Sequence, residues 1–160
     1  MTPPRPLPSH RWQAILLVGA GVAAADMAVA LAYWAMQGVA PARIVQGIAA
    51  GWVGREAARA GGVEMVMLGA ASHLAIATTM VWAYSAASRR LRLLVEQPLV
   101  CGLLYGVATW AAMTLVVVPL SAIVPATVPP PVAWRLAHFA SHLFIVGVPS
   151  AFLARALAAR

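Results

Sequence analysis

Of the 160 residues, 62% are apolar and only 9% are charged, and the mean hydropathy is +0.84. A soluble domain carries about 25% charged residues, so too few charges are present to cover a water-facing surface, and a soluble globular domain is excluded. The net charge is +7 and every basic residue is arginine, but the arginines sit at the ends of apolar runs. There they mark membrane interfaces and not a nucleic-acid footprint, so no nucleic-acid partner is expected.

In chain order, residues 1–12 open with the Pro-rich MTPPRPLPSH and read as a flexible N-terminal tail. The first apolar run, 13–36, follows Arg5 and Arg11, and Ala23-Ala24-Ala25 resembles a signal-peptide cleavage site. The apolar character continues to Met36, far past the roughly 7–15 residues of a signal core, so a retained spanning helix is expected.

The stretch 43–59 is different, because its uncharged middle is too short to cross a bilayer. Gly47, Gly51, Gly54 and Ala58 recur at helical spacing and predict one smooth, helix-packing face. A short amphipathic or re-entrant helix is expected there.

Further spanning helices are expected at 64–87, 99–123 and 134–156. The second stops at Ser88-Arg89-Arg90, and the third begins after Pro98 and is bent by Pro119. Pro125 and Pro129–Pro131 break the link to the fourth. Trp12, Trp34, Trp82 and Trp134 fall near helix ends, as interfacial aromatic belts do. The fold class is therefore an all-α integral membrane protein, one four-helix domain over 13–160 with one additional short helix between helices 1 and 2. Arg5, Arg11, Arg89, Arg90, Arg92, Arg155 and Arg160 outnumber Arg43, Arg55, Arg59 and Arg135. Both termini are accordingly expected in the cytoplasm. Cys101 has no partner for an internal disulfide and reads as a small apolar residue.

Function in such a chain resides in the polar groups its helices carry, since each is costly to bury in hydrocarbon. Asp26 shares a small, polar face with Gly19, Ala23, Ala30 and Tyr33. His73 shares one with Gly69, Ala77, Met80 and Tyr84. Gly102, Gly106, Thr109 and Met113 form a GxxxG packing stripe, and His138 and His142 lie one turn apart. Counted from the expected cytoplasmic ends, Asp26, His73, Met113 and His142 all lie about 20 Å deep, near one plane. Glu64 reads as a first-turn acid favoured by the helix dipole, and Glu96 as a solvated loop residue.

An intramembrane binding cluster of Asp26, His73, His138, His142 and Met113 suits three chemistries. One is a metal site, with His73 and His142 the candidate ligands. Another is haem b between those two histidines, with Gly69 leaving room for the macrocycle. The third is a protonatable path for a small solute or ion. A purely structural polar cluster accounts for the same residues. No GxxxxGK[ST], HExxH or GxSxG occurs, so the reading leans away from an enzyme, and no motif requires a cofactor.

From Gly69 onward the chain resembles the YagU-type bacterial inner-membrane proteins. The shared features are His73, Tyr84, a third helix led by Pro98 with Gly102 and Gly106, Pro119, and a last helix bearing His138 or His142. The first connection is shorter here, and an acidic residue ahead of the last-helix histidine is lacking. The resemblance implies a four-helix bundle in a bacterial inner membrane and supplies no mechanism. The leading expectation is a membrane protein that binds or passes a small solute, ion or lipid at an interior polar site. The alternatives are a metal- or haem-binding redox component and a structural accessory subunit of a larger membrane complex. The expected partners are the lipid bilayer and a homo-oligomer or larger complex, with Gly47, Gly51, Gly54, Gly102 and Gly106 as helix-packing positions.

Overall fold

The computed structural model describes residues 9–123 and 129–159, and within them the chain is helical, with no strand. Helix α1 runs Ser9–Ala35, α2 Pro41–Val53, α3 Arg55–Ala60, α4 Val63–Ser88 and α5 Leu93–Glu96. Two longer continuous helices follow, α6 over Pro98–Leu120 and α7 over Val132–Ala158. Among the described residues, α4, α6, α7 and the Arg11–Ala35 part of α1 are long and apolar enough to cross a membrane. Large apolar side chains face outward from all four, including Leu17, Met67, Leu104, Leu115, Phe144 and Phe152. An aqueous monomer rarely exposes apolar surface this extensively.

Two expected boundaries move. Residues 9–12, placed in the tail, form the first turn of α1, while 1–8 lie outside the described residues. The short helix expected over 43–59 is two helices, because Gly54 adopts φ +82, ψ 163 and ends α2. That conformation is essentially closed to residues with a Cβ. Pro41 starts α2 at a position where its missing N–H costs nothing. Pro125, expected to break the last link, also lies outside the described residues.

The long helices pack through small residues. Gly19 of α1 sits against Thr78 of α4, while Gly102 and Gly106 of α6 press on the α7 backbone around His142 and Gly147. Removing side chains at these points lets helix axes approach, which strengthens dispersion contacts where no hydrophobic drive operates. Ile15, Val22, Ala77, Val81 and Val146 form the main core between α1, α4 and α7. A second cluster joins Tyr84, Cys101, Ala151 and Ala154, with the Tyr84 hydroxyl donating to the Leu94 carbonyl at 3.0 Å. Cys101 is a buried free thiol in that cluster.

Both α6 and α7 contain a π-helical stretch, Met113–Val117 and His142–Gly147. Each lies just ahead of a proline, Pro119 or Pro149. A proline ring collides with the carbonyl four residues earlier. Those carbonyls belong to Leu115 and Ile145, inside the two stretches, and a wider turn relieves the collision.

Candidate interior binding site

Between α1, α2, α4, α6 and α7 lies a cavity of about 250 Å³. Asp26, His73, Met113, His138 and His142 all line it, so the structure brings all five predicted residues to one place. Helical periodicity does the aiming. On α7, Trp134, His138, His142 and Val146 follow at four-residue intervals and share a face. On α4, His73, Ala77 and Met80 share a face at spacings of four and three, and on α1 Asp26, Ala30 and Trp34 do so at spacings of four. Met113 and His142 open the two π-helical stretches, so the proline-driven widening sets how both side chains enter the cavity.

Asp26 is the centre of the polar contacts. The Ser141 hydroxyl donates to its Oδ1, and His73 Nε2 lies 3.6 Å from its Oδ2. The Asp26 and His73 side chains stay 18% and 19% exposed, so the pair is shielded yet reachable. His73 Nε2 also lies 3.0 Å from the Ala23 carbonyl oxygen of α1. A carbonyl can only accept, so this nitrogen carries a proton in that contact. By the same reasoning His142 Nδ1 donates to the His138 carbonyl at 3.0 Å.

One end of the cavity is aromatic. The Trp134 ring stacks on His138 at 5.7 Å and 17°, and the His138 ring meets His142 edge-on at 4.6 Å. Trp34 and Tyr33 pack on Trp134 at 5.4 and 5.2 Å. Ile44 and Ile48 of α2 close a further side. Among the described residues, no arginine lines the cavity and Asp26 is its one carboxyl side chain.

Other predicted positions separate. Gly102 and Gly106 are close-contact glycines, but Gly47 has nothing within 4 Å of a Cβ and Gly51 only Ser121 Cβ at 3.9 Å. The face expected of Gly47, Gly51 and Gly54 does not pack along its length against another long helix among the described residues: the Gly51 carbonyl accepts from the Ala122 amide at 2.9 Å, while α2 turns Gln46, Ala49 and Ala50 inward. Gly54 breaks the helix that it was expected to continue. The room expected beside Gly69 for a haem macrocycle is filled by the α2 backbone, since a Cβ there would collide with the Val45 carbonyl. Among the described residues, no group of three or more His, Cys, Asp or Glu is placed to hold a metal ion. Glu64 accepts a hydrogen bond from the Gly62 amide at 2.9 Å, which ties it to the start of α4.

Sequence reasoning missed three contributors. Trp34 and Trp134 sit near helix ends, where aromatic residues ordinarily anchor at the interface, yet both line the cavity. Ser141 lies 115 residues from Asp26, so no local spacing links the two. Pro149, which accounts for the widened turn under His142, was the available signal. No protein-family model matches the chain, and comparison with characterised proteins and with solved structures finds no significant match.

Proposed function

We propose that the chain is a multi-pass protein of the bacterial inner membrane, both termini cytoplasmic, that binds and passes a small organic cation through its interior polar cavity. The membrane reading is supported by four helices of spanning length with apolar exteriors. The bacterial inner membrane follows from the YagU-type resemblance, and the orientation from the arginine asymmetry.

The observation that carries the cation reading is the make-up of the cavity wall among the described residues: one carboxyl side chain, Asp26, no arginine, and indole rings at one end. Anionic oxygen and aromatic faces together favour a cation that carries apolar surface. A volume of about 250 Å³ corresponds to roughly eight water molecules at about 30 Å³ each, so the solute is small. No reacting nucleophile is required by this reading.

Trp34 and Trp134 report directly on the site. Titrating the purified chain in neutral detergent with tetraethylammonium is expected to give a saturable change in tryptophan fluorescence. Neutral and anionic probes of similar size are expected to give none. A response that ignores probe charge refutes the cation assignment.

A second role rests on α2. Among the described residues nothing lies within 4 Å of a Cβ at Gly47, and Trp52 on the same helix is exposed. A small-residue face of this kind suits helix packing between chains, in a homo-oligomer or a larger membrane complex.

A further inference from the structure

At the end of the bundle opposite Trp34 and Trp134 lies a second cavity, of about 700 Å³. It sits where the first turn of α1, the last turns of α4 and α7, and α5 converge. Four guanidinium groups line it, from Arg11, Arg89, Arg90 and Arg92, against one carboxylate, Glu96. Arg92 engages that carboxylate at 3.0 Å. Arg11 is half-buried and fixed to the wall by donating to the Leu157 carbonyl at 2.8 Å. Among the described residues, neither Arg89 nor Arg90 has a carboxylate within ion-pair distance.

Interfacial arginines alone mark only a membrane face. The second observation is Ser85, which lines the same cavity and is 7% exposed. Its Oγ is buried and has no hydrogen-bond partner among the described residues. Hydroxyls on these helices mostly bond back to the carbonyl three or four residues earlier, as Ser72 does to Leu68, Thr79 to Ala75, Ser88 to Ser85 and Ser150 to Val146. Ser85 makes no such bond, although its own helix offers the carbonyl. A buried donor without a partner requires an explanation, and a ligand oxygen beside unpaired guanidinium groups supplies one.

We propose that this cavity binds a phosphate-bearing anion, its oxygens held by Arg89, Arg90 and the Ser85 hydroxyl, with the anchored Arg11 adding positive charge at the wall. Guanidinium forks match phosphate geometry, and a hydroxyl completes the donor set. The site is independent of the interior cavity. The phosphate comes either from an anionic phospholipid of the surrounding leaflet or from a soluble phosphate ester.

The test uses the full chain in neutral detergent and native mass spectrometry. Phosphatidylglycerol is expected to be retained at one per chain, and diacylglycerol with the same acyl chains, which lacks the phosphate, is expected to be lost. Glycerol phosphate or inorganic phosphate that competes at comparable concentration identifies a soluble ligand, and failure to compete identifies the lipid headgroup. Arg89→Gln with Arg90→Gln is expected to weaken retention by about tenfold or more, and Ser85→Ala by about fivefold. Arg155→Gln removes an exposed arginine outside the cavity, in the last turn of α7, and is expected to leave retention unchanged. Equal loss in Arg155→Gln would show diffuse charge attraction and overturn the site. So would unchanged retention in the Ser85→Ala chain or in the double arginine variant.

Discussion

Replacing Gly106 by alanine tests the helix contact that holds His142 in the cavity wall. A Cβ at this position would stand 2.5 Å from both the His142 carbonyl oxygen and the Leu143 Cα. Carbon atoms in good contact lie roughly 3.5–4.0 Å apart. Both obstacles are backbone, so no rotamer change relieves them, and α6 and α7 must part by about 1 Å. Overpacking of this kind costs about 1–3 kcal/mol, while the better helix propensity of alanine returns roughly 1 kcal/mol. A net loss of up to about 2 kcal/mol is expected. Gly47→Ala is the matched control, since nothing lies within 4 Å of its Cβ, and it is expected to gain up to about 1 kcal/mol. Equilibrium unfolding in mixed micelles, followed by helical circular dichroism, measures both. If the two variants shift stability in the same direction and by the same amount, the close approach of α6 and α7 at Gly106 is wrong.

Gly54→Ala forces a side chain into the φ +82, ψ 163 conformation, and is expected to destabilise by about 1–3 kcal/mol, read as faster proteolysis between α2 and α3. Tyr84→Phe removes the donor to the Leu94 carbonyl. A cost of about 1 kcal/mol is expected, seen as faster amide hydrogen exchange confined to α5 and its flanks.

Much of the bundle was legible in the sequence because apolar length and helical period are local properties. The runs around Asp26, His73 and Met113 and the His138–His142 spacing each fix a face, and those faces meet at the cavity. What remained hidden depends on packing. Gly47, Gly51 and Gly54 share one spacing, but spacing cannot tell a helix-packing glycine from one that ends the helix at positive φ. Gly47 and Gly106 look alike on paper, yet only Gly106 touches another helix backbone. The Ser141–Asp26 bond joins residues 115 apart, and the unpartnered Ser85 hydroxyl becomes visible only once its neighbours are in place.

Asp26→Asn tests the central claim most directly, since asparagine keeps an oxygen to accept from Ser141 and removes only the charge. Calorimetric titration of both proteins with tetraethylammonium in neutral detergent is the measurement. The account predicts saturable binding by the native chain and a loss of about tenfold or more in the variant, in line with removal of a charged partner from a shielded site. Equal affinity in the two proteins would contradict it and leave Asp26 as a structural tie to Ser141 and His73.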